Sequence, residues 1–243
     1  MIVLRIRSLK GGVYFLVVLL LLSILSLSVF AEVVVFKQYD TKNFLDDGKL
    51  RVEKNIRITN GGTNPIIPGE LHFKVYEFEG KDQVASQIEN LYAHNNQNKL
   101  TANVIKKGDY SDIVVDVWNP LLPDFEVPIT ITYDLLYKQK GVLFHELNFP
   151  VEETTVPISS SSIKLYLPKN FYVTYAPNAE ISDTDMYKVV EWDDTEKDLT
   201  VEYTRLPLPK MMFRFSTMFW LVVITILLGV TVYFNFFYKK KKK

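Results

Sequence analysis

Two long apolar segments bracket a polar middle, and this arrangement constrains the fold more than any other feature of the chain. Residues 13–31 are apolar apart from a few serines, and residues 218–238 contain no charged side chain. At 1.5 Å of rise per residue, about 20 helical residues cross the roughly 30 Å hydrocarbon core of a bilayer. The pattern therefore predicts a membrane protein in which residues 32–208 fold between the two segments.

The first apolar segment, residues 13–31, is consistent with two interpretations. Basic residues precede it, and it ends with Ser28-Val29-Phe30-Ala31, which is typical of a signal-peptidase site. We therefore predict that residues 1–31 are a signal peptide cleaved after Ala31. The alternative is an uncleaved anchor helix, because the apolar run is nearly long enough to span a bilayer.

The charges are sorted along the chain although the net charge is zero. All 28 acidic residues lie between Glu32 and Thr217, whereas eight of the 28 basic residues lie outside that range. The acidic middle excludes a nucleic-acid-binding domain, which needs a basic surface.

Lys239 to Lys243 form a polylysine tail that predicts a cytoplasmic C-terminus and an outer or lumenal middle domain. The membrane would be the plasma membrane or, in a eukaryotic host, the endoplasmic reticulum, since the tail resembles a dilysine retrieval signal.

The chain contains no cysteine. This excludes a disulfide scaffold, Cys-ligated zinc, an iron–sulfur site and a thiol nucleophile. The middle domain must therefore be held together by burial of its core, and about 180 residues suffice for that.

Period-two alternation of apolar residues predicts an all-β middle domain. The alternation is regular over 129–135, 163–167 and 199–203, and turn residues such as Asn60-Gly61-Gly62 separate many of the runs. Near Lys54 the pattern predicts a phase slip. Further strands are predicted by continuous β-rich runs at 33–36, 113–118, 142–149, 171–175 and 187–192. Many short strands with close turns indicate a β-sandwich.

Two stretches depart from this alternation. The apolar spacing over Asp82–His94 predicts about three turns of helix or a loop crossing. The acidic segment Trp192–Asp198 predicts a hairpin turn between two strands.

A change of composition at 150–162 predicts a boundary between a first β-subdomain, 32–150, and a smaller one, 151–208, packed against it. A juxtamembrane spacer, 209–217, would lead to the transmembrane helix, 218–238, and to the tail, 239–243.

The order of several short motifs resembles that of known membrane proteins. The motifs are Ile58-Thr-Asn-Gly-Gly, Trp118-Asn-Pro-Leu-Leu-Pro followed by Val127-Pro-Ile-Thr-Ile-Thr-Tyr133, Leu147-Asn-Phe-Pro150 and Ile163-Lys-Leu-Tyr-Leu-Pro168. This order is similar to membrane-tethered double-β ectodomains of uncharacterised prokaryotic membrane proteins, and more faintly to the lumenal part of ribophorin I. The resemblance implies a non-catalytic β-module held at a membrane, and it carries over no functional residue.

A search for catalytic, cofactor-binding and metal-binding residues predicts none. His72, His94 and His145 are far apart in the sequence, with no His-Glu-x-x-His motif. The carboxylates between Asp183 and Asp198 lack the spacing of a calcium-binding loop, although oxygen ligands for calcium are present. Ser159 to Ser162 lack the glycines of a nucleophile elbow. We therefore expect no cofactor.

The sequence favours a single-pass, non-enzymatic membrane protein whose acidic sandwich is an accessory or scaffold subunit. Its partners would be membrane lipid and another membrane or envelope protein, and not nucleic acid. One alternative is a surface module that binds glycan or cell-envelope polymer through a row of exposed aromatic residues. A second alternative is a metal-dependent hydrolase with converging carboxylates or histidines.

Overall fold

A computed structural model describes residues 34–46, 48–79, 81–96, 98–137, 140–193 and 199–234. Within these ranges the chain forms sixteen strands and one helix. The elements are β1 Val34–Asp46, β2 Lys49–Asn60, β3 Gly69–Glu79, β4 Asp82–Ala85, β5 Gln87–Asn95, β6 Lys99–Leu100, β7 Ala102–Lys106, β8 Ser111–Val117, β9 Glu126–Leu136, β10 His145–Asn148, β11 Val151–Thr154, β12 Ser161–Pro168, β13 Tyr172–Tyr175, β14 Glu180–Asp183, β15 Tyr187–Asp193, β16 Thr200–Thr204 and α1 Phe215–Tyr233.

The strands form three sheets. The largest has eight strands in the order β14-β15-β12-β1-β2-β9-β5-β6. A five-stranded sheet runs β11-β3-β8-β7 with β4 also paired to β3, and a three-stranded sheet runs β10-β16-β13. The pairings are antiparallel except that of β1 with β12, whose register joins Tyr39 to Ser161 and Phe44 to Tyr166.

Side chains that alternate along the strands form one apolar core between the large sheet and the two smaller ones. The rings of Phe36 on β1 and Phe73 on β3 stack with centroids 5.9 Å apart. Near the other smaller sheet, Phe149 packs edge-on against Trp192 of β15 at 5.6 Å. These contacts confirm the predicted all-β sandwich.

The predicted helix over Asp82–His94 is wrong, because these residues form β4 and β5. β5 pairs with β9, but its register shifts between Glu89 and Tyr92, and Asn90 has a φ of +53°. Such a bulge moves the following side chains by one position relative to the sheet. The shift converts strand alternation into a spacing that resembles a helical face.

The predicted phase slip near Lys54 is also wrong. β2 runs without interruption from Lys49 to Asn60, and Lys54 occupies a buried position between Val52 and Ile56. The register irregularity of this pair lies on β1, between Phe36 and Gln38. A charged residue at a buried position of the apolar series therefore has the same sequence pattern as a change of phase.

The predicted hairpin over Trp192–Asp198 is contradicted by the sheet order. β15 belongs to the eight-stranded sheet and β16 to the three-stranded one, so the chain crosses between sheets here. Residues 194–198 lie outside the described ranges. The subdomain boundary near residue 150 stays a prediction, and strands from both sides of it share the large sheet.

Helix α1 is long and apolar enough to cross a membrane, and none of its residues is buried. It begins at Phe215, three residues before the predicted span. The predicted signal peptide or anchor, residues 1–31, lies outside the described residues, as do residues 235–243 with the polylysine tail.

Candidate functional site at the two ends of the sandwich

The start of α1 is capped by a carboxylate from the sandwich. Glu202 lies on β16 and is fully buried. Its carboxylate accepts hydrogen bonds from the backbone N–H groups of Phe215, at 2.8 Å, and Ser216, at 3.1 Å. The Thr174 hydroxyl donates a third, at 2.8 Å. The first N–H groups of a helix have no partner within the helix and carry partial positive charge, so a buried carboxylate satisfies both needs.

A second group of contacts fixes the residue before the helix. The guanidinium of Arg214 donates a hydrogen bond to Glu146 of β10 at 3.0 Å and lies 5.6 Å from the ring centre of Tyr175. The rings of Phe144 and Phe215 stack at 5.7 Å with an angle of 9° between their planes. The helix therefore joins the sandwich through a fixed junction.

The segment between β16 and α1 is tied down as well. The backbone N–H of Met211 donates to the carbonyl of Thr174 at 2.8 Å. The ammonium of Lys210 donates to the carbonyl of Ala179 at 2.9 Å. These bonds hold a segment that the sequence suggested only as a spacer.

An exposed apolar surface surrounds the junction, and we call it the basal patch. It consists of Val142, Leu143, Leu206, Met212 and Phe213. Val142 is 90% exposed and Met212 is 88% exposed, so these side chains have almost no protein contact. The predicted strand over 142–149 is confirmed only from His145 onward, because the first residues form this exposed loop.

The loop of the basal patch has a defined shape. Gly141 has a φ of +91°, and a Cβ there would overlap the carbonyl oxygen of Phe144. The Thr204 hydroxyl donates to the carbonyl of Leu143 at 2.7 Å. The loop is therefore held beside the end of β16, close to the first residue of α1.

A second apolar surface lies at the opposite end of the sandwich, and we call it the distal patch. It consists of Ile67, Trp118, Leu122 and Phe125, all exposed, with Phe125 at 63%. Pairing of Ile66 with Leu121 brings the two loops that carry it together.

The sheet topology separates the two patches. β9 starts at Glu126, beside the distal patch, and ends at Leu136. Four residues after Leu136, Lys140 pairs with Glu146, which belongs to the junction. An eleven-residue strand spans roughly 35 Å at about 3.4 Å per residue. The distal patch is therefore remote from the start of α1.

The core also contains a buried cation. Lys54 is 2% exposed, and its ammonium pairs with the carboxylate of Glu152 on β11. The ammonium lies 3.4 Å from the hydroxyl of Tyr39, which itself donates to Glu152. Burial raises the pKa of Tyr39 and of Tyr133 well above the usual value, and the negative charge of Glu152 raises both further. This cluster joins the large sheet to β11 and has the character of a structural brace.

The three histidines do not meet. His72 Nδ1 lies 3.1 Å from Asp112, and His94 Nδ1 lies 3.1 Å from the carbonyl of Asn95. The buried Nδ1 of His145 has no hydrogen-bond partner within the described part of the chain. The same part contains no cluster of three or more His, Asp or Glu side chains that could hold a metal.

The outer face of the large sheet carries an aromatic group. Phe44 stacks on Tyr166 at 4.5 Å, and Tyr187 contacts both rings edge-on. All three are partly exposed. This trio is the nearest match to the aromatic row that a glycan-binding surface requires.

Sequence reasoning missed Glu202, Lys54 and the distal patch. Glu202 falls between the alternating apolar residues Val201 and Tyr203, and nothing in the nearby sequence indicates that it caps a helix thirteen residues later. The burial of Lys54 could have been predicted, because Val52 and Ile56 lie two residues before and after it and therefore on the same face of the strand.

Comparison with known proteins gives weak similarity to one uncharacterised relative. No family model matches the chain. An uncharacterised protein of Methanocaldococcus jannaschii is 28% identical over 134 residues, which are 55% of this chain and 95% of that protein. The predicted resemblance to an uncharacterised prokaryotic protein is thus supported in part, and the one to ribophorin I stays a prediction.

Two solved structures that match the chain have TM-scores below 0.5. A candidate nutrient-binding protein of Legionella pneumophila has a TM-score of 0.48 and 10% identity over 71% of this chain and 67% of that one. An M1 zinc metallopeptidase of Deinococcus radiodurans has a TM-score of 0.42 and 9% identity over 70% of this chain. The match covers 42% of the peptidase, less than half of its length.

Proposed function

We propose that this chain is a non-enzymatic, single-pass membrane protein whose sandwich is an accessory subunit for a second protein. The sandwich would lie on the outer or lumenal side, with α1 in the membrane and the polylysine tail in the cytoplasm. The distal patch is the observation that carries this proposal. Its partner would be a protein on the same side of the membrane with an apolar pocket for Trp118.

The composition of the distal patch supports a protein partner. Trp118 is 61% exposed, and its neighbours at this end include the exposed Phe125. Exposed apolar clusters mark interaction sites, and tryptophan is enriched among the residues that dominate binding energy. The Trp118 ring lies over Gly69, where a Cβ would fall 3.8 Å from it. The ring is thus positioned before binding, which lowers the entropy lost on association.

The fixed junction supports a role in positioning. A domain joined to its helix by a flexible linker would sample many heights and orientations. Here Glu202 and Arg214 tie the start of α1 to two strands of the sandwich. The distal patch would consequently stand at a defined distance from the bilayer surface, as an accessory subunit requires.

A second candidate function is the binding of glycan or envelope polymer. The partly exposed trio Phe44, Tyr166 and Tyr187 favours it. However, stacking between Phe44 and Tyr166 covers one face of each ring, which leaves less aromatic surface for a sugar. We therefore rank this function below protein docking.

Affinity purification of the C-terminally tagged chain from its host membranes in mild detergent tests the proposal. We compare wild type with Trp118→Ala and with a matched control, Phe78→Ala, whose aromatic side chain is also exposed but lies at the far end of β3. A partner recovered at fixed stoichiometry with wild type and with the control, but lost with Trp118→Ala, supports protein docking. Recovery of the chain alone, or a partner unaffected by Trp118→Ala, contradicts it.

A further inference from the structure

We infer that the basal patch enters the same lipid leaflet as the first turns of α1, so that the sandwich contacts the bilayer directly beside its helix. The inference rests on the proposed membrane span and adds a second membrane contact. The occupant of this apolar surface is therefore the lipid bilayer.

Continuity with the helix is the first argument. Phe144, at the end of the patch loop, stacks on Phe215, the first residue of α1. Met212 and Phe213 immediately precede the helix. If α1 enters the hydrocarbon core at its first turns, side chains packed around those turns lie at the interface depth.

Exposure is the second argument. Removing an apolar side chain from water is favourable, so leaving several of them in water on one small surface is unfavourable. Val142 and Met212 have almost no protein contact, and Leu143 and Phe213 are more than half exposed. The lipid that surrounds α1 would cover all of them.

Charge around the patch is the third argument. Although the domain is acidic, the segments 140–146 and 205–214 contain four basic residues, Lys140, Arg205, Lys210 and Arg214, and one acidic residue, Glu146. Glu146 is paired with Arg214. The remaining positive charge suits anionic headgroups, and aromatic residues such as Phe219 and Trp220 favour the same interfacial depth.

The junction holds the patch at this depth. The Glu202 cap and the Arg214 ion pair prevent the sandwich from moving away from the helix axis independently. The patch would therefore stay in the leaflet whenever α1 spans it, and the bilayer contact would fix the orientation of the sandwich about the helix.

The absence of cysteine allows a direct test. Single variants Val142→Cys, Leu227→Cys and Ile105→Cys of the full chain are labelled with a nitroxide and placed in vesicles of equal phosphatidylcholine and phosphatidylglycerol. Leu227 lies within α1, and Ile105 is an exposed apolar residue on β7. Power saturation in electron paramagnetic resonance then measures how often each label collides with oxygen and with a water-soluble nickel chelate. Oxygen concentrates in lipid, whereas the nickel chelate stays in water.

We expect the labels at Val142 and Leu227 to collide with oxygen several-fold more than with nickel, and the label at Ile105 to show the reverse. If the Leu227 label is exposed to lipid and the Val142 label is exposed to water, the membrane contact of the basal patch is overturned while the proposed membrane span stands. A water-exposed Leu227 label would instead overturn the proposed membrane span. Since Val142 is fully on the surface, its replacement leaves the fold intact.

Discussion

Glu202 Oε1 lies 2.8 Å from the backbone nitrogen of Phe215, so a buried strand of the sandwich supplies the cap for an apolar helix outside it. Arg214, at the N-cap position, makes no side-chain capping bond of its own. The Glu202 carboxylate is thus one of the contacts that couple the helix to the sandwich, beside the Arg214–Glu146 ion pair, and single substitutions can test it.

Replacement of Glu202 by Gln should destabilise the junction. An amide lacks the negative charge and presents one donor group to the helix N–H groups, so the folded chain should lose about 2 kcal/mol. Thermal unfolding of the full chain in detergent measures the loss. Glu180→Gln, at an exposed position of β14, should leave the melting temperature unchanged. Equal melting temperatures for the two variants would show that the cap contributes no stability.

Replacement of Lys54 by Ala should destabilise the core strongly. The variant leaves Glu152 without its partner and opens a cavity, with an expected loss of about 3–5 kcal/mol. The double variant K54M/E152Q should regain much of this loss, because it removes both charges and keeps the volume. Urea unfolding of both variants measures the difference. If the double variant is no more stable than Lys54→Ala, uncharged side chains of similar volume cannot replace the ion pair, which contradicts the prediction.

Alkaline pH should destabilise the sandwich from about pH 10 upward. The pKa values of Tyr39, Tyr133 and Tyr203 are all raised by burial in the folded state above the ordinary value of 10.0. Their stabilisation is complete below pH 10, and it declines above pH 10 because only the unfolded chain then releases these protons. Each contributes a loss of up to about 1.4 kcal/mol per pH unit.

Absorbance of phenolate recorded together with circular dichroism checks this dependence. The last phenolates should appear only when the β signal is lost. In Tyr133→Phe, stability should decline less steeply above pH 10, because one of the three buried tyrosines no longer contributes to the loss. An unchanged slope in Tyr133→Phe would contradict the assignment.

Replacement of His145 by Phe should stabilise the chain by about 1 kcal/mol. The buried Nδ1 atom has no partner among the described residues, and the ring lies 5.5 Å from that of Tyr203 and 6.4 Å from that of Phe171. Phenylalanine fills the same site without an unsatisfied polar atom. The control His94→Phe removes a histidine that has a hydrogen-bond partner and should give no gain in melting temperature. A gain in neither variant would indicate that a water satisfies His145.

The sequence predicted the class of fold because side-chain alternation is a local property. Runs such as 129–135 and 163–167 have one face in the core and one outside, so their spacing alone identifies them as strands. The prediction failed where a bulge reset the phase, as at Asn90 in β5, and where a charged side chain took a core position, as at Lys54.

The candidate sites were beyond sequence reasoning for a different reason. The junction is assembled from residues distant in the chain, since Glu146 and Arg214 are 68 positions apart. The distal patch forms only when the loops around Ile67 and Trp118 meet through the pairing of Ile66 with Leu121. Neither proximity leaves a trace in local composition.

The order of the strands has a consequence for biosynthesis. β1 acquires its parallel partner β12 more than a hundred residues later, and β16, the central strand of the three-stranded sheet, ends only eleven residues before α1 begins. A nascent chain can close its core only once β16 has been synthesised. In the proposed topology, completion of the sandwich and entry of α1 into the membrane would therefore fall within the same short interval of translation, and the Glu202 cap would form as the final link between the two events.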